Sequence, residues 1–255
     1  MNLTDEQLLR YSRQIMLPEI DLAGQQKLIS AKVLILGAGG LGSPAAIYLA
    51  AAGIGNITIC DHDNVESSNL QRQILYTEED VGRPKVSTAK DRLSKISATL
   101  NTRVISKKLN EADLKKEIST NDIVLDATDN FDSRYMINRA CWETKTPLVS
   151  GAAIRWEGQF ATFDPRNTES PCYQCLYSQG DDDDLNCSES GVTGPLVGII
   201  GTCQAMEAIK TIIGINTNSL GKIFYLDAKH MEWQQFKLKK DPTCPTCGLQ
   251  GHKPA

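Results

Sequence analysis

Lys32-Val-Leu-Ile-Leu36 runs directly into Gly37-Ala-Gly-Gly-Leu-Gly42, and Ser43-Pro-Ala-Ala-Ile-Tyr-Leu-Ala-Ala-Ala52 follows without a break. The first stretch is short and apolar, as a strand covered on both faces of a sheet must be. The last reads as a helix: Ser43 is its expected N-cap, Pro44 suits its first turn and Gly53 is placed to end it. Between them Gly37, Gly39 and Gly42 fit the spacing G-x-G-x-x-G. After a strand and before a helix, such glycines make the tight turn, let backbone approach a phosphate, and let the helix pack on the strand. The helix then points its free amide groups and its dipole at the anion. Asn56-Ile-Thr-Ile-Cys-Asp61 is the next strand. Asp61 ends it, 19 residues past Gly42, where a carboxylate can take the hydroxyl pair of a ribose. This pattern calls for a nucleotide but does not choose between NAD and ATP.

Outward from this unit, strand and helix keep alternating. Residues 4–30 read as helical with a break near Pro18. Helices are expected at 85–98, 111–118 and 133–143, and strands at 103–106, 123–126 and 148–152. Alternation over this length predicts an α/β fold, a Rossmann-like doubly wound and mostly parallel sheet. Past Gly158 the pattern changes to a strand at 159–164, an irregular stretch at 165–190, a helix at 197–213 and paired strands at 222–227 and 233–237. These predict a C-terminal antiparallel extension. Asp181–Asp184 are four adjacent acids that repel one another, and they read as a loop.

The chain has 255 residues, 41% of them hydrophobic, enough for one sizeable core. A net charge of −4 offers no general field for nucleic acid. Asp5, Glu6, Arg10, Arg13 and Glu19 leave no apolar signal segment at the start. The apolar stretch 192–213 is interrupted by Gln204, Glu207 and Lys210, so it reads as a buried helix and no membrane partner is expected. The expected location is cytoplasmic, where the eight cysteines stay reduced and serve metal binding or thiol chemistry.

Two segments supply cations near the nucleotide edge. Arg72 lies in Ser67-Ser-Asn-Leu-Gln-Arg-Gln73, beside Asn69 and Gln73, and Lys85 closes Gly82-Arg-Pro-Lys85. A triphosphate needs such charges because negative charge builds on the leaving pyrophosphate. Asp126-Ala-Thr-Asp-Asn130 follows an apolar strand, which sets Asp129 at the carboxyl end of the sheet, where an acid can hold Mg²⁺ against phosphates. The competing role for Asp129 is a cap for the helix that follows, for which Asp132 is better placed.

Cys172-Tyr-Gln-Cys175 and Cys244-Pro-Thr-Cys247 are two C-x-x-C pairs with 68 residues between them. Four thiolates suit one closed, structural Zn²⁺ site that ties the tail to the main fold. Cys187 stands alone, either a nucleophile that accepts an acyl or sulfur group or a free loop thiol. Cys60, Cys141 and Cys203 fall in expected strand or helix and read as core.

Taken together, Arg10-Tyr-Ser-Arg-Gln14, Gly37–Gly42, Ser68-Asn-Leu-Gln-Arg72, Arg83-Pro-Lys85, Asp126–Asn130, Gly151-Ala-Ala153, both C-x-x-C pairs and Gly191–Lys210 resemble the MoeB/ThiF/HesA family, relatives of the ubiquitin-activating enzymes. The resemblance covers nearly the whole chain. It implies one adenylation domain over 1–255, with a Rossmann-like nucleotide-binding part at 31–154 and a carrier- and zinc-binding part at 155–255. It implies adenylation, with ATP and Mg²⁺, of the C-terminal glycine of a ubiquitin-like sulfur carrier of MoaD or ThiS type, in molybdopterin or thiamine biosynthesis. A sulfur donor such as a cysteine desulfurase or a rhodanese would then complete the thiocarboxylate. On that resemblance the turn glycines, notably Gly40, line the phosphates and Asp61 takes the ribose. Asn69, Arg72, Gln73 and Lys85 serve the triphosphate, and Asp129, with Asn130 beside it, holds Mg²⁺. Arg13 resembles an arginine that reaches ATP from the other subunit of a homodimer. Cys187 matches the cysteine that ThiF-like members link to the carrier. Ala153-Ile-Arg-Trp-Glu-Gly158 looks closer to MoeB and Trp233 closer to ThiF. Two other readings stand beside this one: an NAD-dependent oxidoreductase on the same turn, which lacks a hydride-handling His or Tyr motif, and a zinc-stabilised scaffold without catalysis.

Overall fold

A computed structural model describes residues 3–177, 191–215 and 219–248. In chain order the elements are α1 (Asp5–Arg10), α2 (Ser12–Ile15), α3 (Asp21–Ser30), β1 (Lys32–Leu36), α4 (Gly42–Ala52), β2 (Asn56–Cys60), α5 (Lys85–Ile96), β3 (Asn101–Ile105), α6 (Glu111–Ile118), β4 (Ile123–Asp126) and α7 (Phe131–Thr144). They continue with β5 (Leu148–Ile154), β6 (Glu157–Phe163), α8 (Tyr173–Leu176), α9 (Gly194–Ile213), β7 (Lys222–Asp227) and β8 (Glu232–Lys237).

All eight strands join one sheet in the order β3-β2-β1-β4-β5-β6-β7-β8. The first five are parallel, and β6, β7 and β8 extend the edge antiparallel. The strand order reverses between β1 and β4, so the loops leaving their carboxyl ends part and open a crevice.

Alternation along the strands decides which side chains meet which helices. Val33, Ile35, Ile57, Ile59, Ile123 and Leu125 share one face, buried against α3, α4, α5 and α9. Leu34, Leu36, Val124 and Leu148 take the other, under α6 and α7. Helix α9 has the length and mean hydropathy, 1.4, of a membrane span, but half of it is buried and it packs on α3, α4, β5 and β6.

Three expectations are corrected. Ser43 does not cap α4: the turn is already helical at Leu41, the helix starts at Gly42, and the buried Ser43 hydroxyl donates back to Ala38 O at 3.3 Å. Gly53 does end that helix, in the left-handed region at φ 93°. Asp132 does not cap α7, which begins two residues earlier than expected. Asn130, in extended conformation, caps it by accepting a hydrogen bond from Ser133 N at 2.9 Å. Asp132 sits inside the first turn, where the helix dipole favours its charge. The stretch after residue 165 also contains one helical turn, α8. The acidic run Asp181–Asp184 and Cys187 lie outside the described residues.

Candidate functional site

The crevice holds a cavity of about 670 Å³, a size suited to a nucleotide. Gly37, Gly39 and Gly40 line it from the turn after β1, Asp61 from the end of β2, and Asp129 and Asn130 from the loop after β4. Asn69, Arg72 and Gln73 come from the turn at 67–73, and Lys85 from the first turn of α5.

The glycine turn is braced rather than loose. Gly37 has φ 96°, and a Cβ there would sit 2.6 Å from Ala127 O, so only glycine fits between β1 and β4. Gly42 does not line the cavity. A Cβ on it would meet Gly37 O at 2.0 Å, which makes it the packing glycine. Asp61 Oδ2 accepts Ala38 N at 2.7 Å, and Asp61 Oδ1 accepts Asp63 N at 2.9 Å. Tyr76 donates its hydroxyl to Ala38 O at 2.8 Å. Burial pushes that phenol well above its ordinary range, so it stays a donor.

Lys85 is buried, and its ammonium meets Asp63 Oδ2 at 2.8 Å. Partial burial pulls the Asp63 carboxyl upward, but the hydrogen bond and charge of Lys85 outweigh it and hold the group below its usual range. Asp63 was missed in the sequence. Its only signal was a second acid two residues past Asp61. Arg72 donates to Ser68 O at 3.2 Å and is partly exposed at the cavity wall. Buried Gln73 has no hydrogen-bond partner for Oε1 among the described residues, which fits a site that takes a polar ligand.

The segment before Lys85 is held by Asp80, which accepts Thr77 N at 2.9 Å, Arg92 Nη2 at 2.7 Å and Arg83 Nη1 at 3.0 Å. Burial would raise that carboxyl, yet the Arg92 and Thr77 bonds lower it to about 2. It is therefore an anion at every working pH.

Asp129 is exposed. Its carboxylate accepts Asn130 Nδ2 at 3.3 Å and takes no part in the cap of α7. It faces the same cavity as Arg72 and Lys85. Arg13, on α2, is exposed and does not line the cavity of its own chain.

Outside this cavity, Cys172, Cys175, Cys244 and Cys247 place their sulfurs within 4.8 Å of one another. Cys172 Sγ lies 3.6 Å from Cys244 Sγ, and Cys175 Sγ 3.2 Å from Cys247 Sγ. A tetrahedral Zn–S₄ centre with bonds of about 2.3 Å has sulfur separations of about 3.8 Å, close to this arrangement. Asn138 Nδ2 reaches Cys172 Sγ at 3.5 Å and Asp241 N reaches Cys175 Sγ at 3.4 Å, the kind of outer hydrogen bond that thiolate ligands attract.

A model of the ThiF family matches residues 11–246. The molybdopterin-synthase adenylyltransferase of Escherichia coli K12 is 46% identical over 246 residues, covering 96% of this chain and 98% of that protein. The sulfur carrier protein ThiS adenylyltransferase of the same organism is 43% identical over 246 residues, 96% of this chain and 97% of that one. The SAMP-activating enzyme E1 of Haloferax volcanii is 36% identical over 98% of this chain and 93% of its own length. Among solved structures, E. coli MccB superposes with a TM-score of 0.84 at 26% identity, over 96% of this chain and 74% of MccB. MccB with ATP matches at a TM-score of 0.78 and 26% identity, over 88% of this chain and 69% of that one.

Proposed function

The chain belongs to the ThiF family, and from that premise we propose how its residues work as an adenylyltransferase on a ubiquitin-like sulfur carrier of MoaD or ThiS type. The observation that carries the proposal is one cavity lined by a nucleotide turn, two cations and an exposed carboxylate. Relatives at 46% and 43% identity are adenylyltransferases by name, so neither a nicotinamide reading of the turn nor a non-catalytic scaffold is kept.

The carrier's terminal carboxylate has an ordinary pKa of about 3.5 and is ionised at neutral pH, so no general base is needed. It attacks the α-phosphorus of ATP. The P–O bond to pyrophosphate breaks, and the product is an acyl-adenylate. The protein's task is to hold two anions together and balance their charge. Gly39 and Gly40 offer backbone to the phosphates, Asp61 holds the ribose, and Asn69 and Gln73 orient the chain of phosphates. Arg72 and Lys85 meet the charge that grows on pyrophosphate. Lys85 comes already paired with Asp63, so its ammonium is fixed rather than swinging. Asp129 would hold Mg²⁺, which supplies charge neutralisation of the leaving group.

Arg13 acts across a homodimer in this reading. Leu9, Met16, Leu17 and Leu22 around it are 79%, 71%, 50% and 50% exposed, an apolar surface that a second copy would cover. The four-cysteine cluster holds a structural Zn²⁺. A sulfur donor such as a cysteine desulfurase or rhodanese then attacks the adenylate, and AMP leaves. The work belongs in a reducing compartment, the cytoplasm, which suits the unbridged thiols.

Mass spectrometry of a carrier incubated with enzyme, ATP and Mg²⁺ tests the function. The carrier should gain one AMP, and a carrier amidated at its C-terminus should gain none. An unmodified free-carboxylate carrier, MoaD and ThiS types both tried, would sink the proposal.

A further inference from the structure

The five residues from the end of β4 onward, Asp126 to Asn130, carry two acids with opposite environments. Asp129 is exposed in the cavity, whereas Asp126 is fully buried beneath it. The Asp126 carboxylate accepts hydrogen bonds from the loop and from the next strand. Oδ1 accepts Thr128 N at 3.0 Å and Thr128 Oγ1 at 2.6 Å, and Oδ2 accepts Ser150 Oγ of β5 at 3.1 Å. The Thr128 carbonyl, in the next peptide unit, accepts Arg134 Nη2 of α7 at 2.9 Å. The Asp126 carbonyl accepts Gln204 Nε2 of α9 at 2.7 Å, and Ala127 N donates to Leu36 O at 2.9 Å. The loop is thus fixed on both edges up to the residue before Asp129.

A buried carboxylate is costly unless it is well bonded. Burial pushes the Asp126 acid up, and the Arg134 charge and the Thr128 bonds oppose that shift. An apolar residue could fill the space without that cost but could not accept the amide and the hydroxyl of Thr128 together. What the carboxylate supplies is a fixed position for Thr128, the residue that leads into Asp129.

We propose that Asp126 is a positioning residue for the adenylation reaction: through Thr128 it aims the Asp129 carboxylate at the metal-bound phosphates, without touching substrate itself. This deepens the reading of Asp129 as the Mg²⁺-holding residue and rests on it. Outer hydrogen-bond partners of metal ligands are worth about 10–100-fold in metal affinity or activity, and small misplacements at reacting centres cost about 100-fold.

The test uses the full-length enzyme and two readouts. Calorimetry gives the gain in affinity for an unhydrolysable ATP analogue when Mn²⁺ is added. Pyrophosphate exchange gives kcat and the KM for ATP. Asp126→Asn keeps the size of the side chain but removes the negative charge that the Thr128 amide and hydroxyl face, and Thr128→Val loses the hydroxyl alone. Both should reduce the Mn²⁺-dependent gain about tenfold and kcat about 100-fold, with the affinity for the metal-free analogue nearly unchanged. Thr128→Ser keeps both bonds and should behave as the parent enzyme. A merely structural role would lower the melting temperature and leave the Mn²⁺-dependent gain intact. If Asp126→Asn does not fold, Thr128→Val decides. Asp129→Ala separates the two levels: if it keeps the Mn²⁺-dependent gain, the reading of Asp129 fails. If it loses the gain while folded Asp126→Asn and Thr128→Val keep it, the positioning role alone is overturned.

Discussion

Asp129→Ala is expected to lower carrier-dependent exchange of pyrophosphate into ATP by about 1,000-fold or more, with a melting temperature within about 3 °C of the parent. The split between chemistry and stability follows from where the side chain stands. Asp129 is exposed, its one side-chain bond among the described residues is a 3.3 Å contact from Asn130, and α7 is capped by Asn130 itself. Truncation therefore removes no cap, opens no buried cavity and leaves no buried partner unpaired, the usual causes of large destabilisation. It does remove a carboxylate that lines the same cavity as Arg72 and Lys85, where the proposed function puts the phosphates. A single preorganised group in such a site is worth about 100- to 1,000-fold, and one that holds a metal is worth more. Exchange at the parent rate in a folded Asp129→Ala enzyme would show that the metal is held elsewhere.

Removing Zn²⁺ should act in the opposite order, on stability before chemistry. The four sulfurs come from both sides of a long gap in sequence, Cys172 and Cys175 around α8 and Cys244 and Cys247 in the tail. Among the described residues, Lys240 lies 5.0 Å over the Trp142 ring and donates to Thr168 O at 2.6 Å, Thr246 donates to Gln174 Oε1 at 2.6 Å, and Asp241 N donates to Cys175 Sγ at 3.4 Å. Strand β8 before the tail is exposed along its length. Structural zinc sites contribute folding free energy directly. A strong chelator, or Cys244→Ser, is expected to lower the melting temperature by about 10 °C or more in differential scanning calorimetry. The cluster lines no part of the nucleotide cavity, so ATP binding should persist below the new transition. An unchanged transition after chelation, with metal content verified as zero, would refute a structural site.

The sheet was legible because its strands are apolar in short runs cut by glycines, aspartates and helix caps. Strands β1, β4 and β7 and helix α6 have the bounds that local pattern predicts. Boundaries failed where a side chain had a partner that local sequence cannot show. Ser43 looks like a cap because it precedes a helical run, yet the turn has already closed and its hydroxyl serves Ala38 O. Asn130 was hidden as a cap because two acids beside it, Asp129 and Asp132, compete for that reading. The nucleotide turn, Arg72, Lys85, Asp129 and the cysteine pairs stood out by residue type and spacing. Asp63 and Asp126 did not. Among their partners are Lys85, 22 residues past Asp63, and Ser150, 24 residues past Asp126, which only the fold brings within hydrogen-bond distance.

Crystals of the protein soaked with ATP and Mg²⁺ examine the central point, since they locate the phosphates against the side chains. The triphosphate should lie on Gly39 and Gly40, with Arg72 and Lys85 within hydrogen-bond distance of its oxygens and a metal ion bound by Asp129. A nucleotide seated with these three side chains turned away from its phosphates would contradict the account.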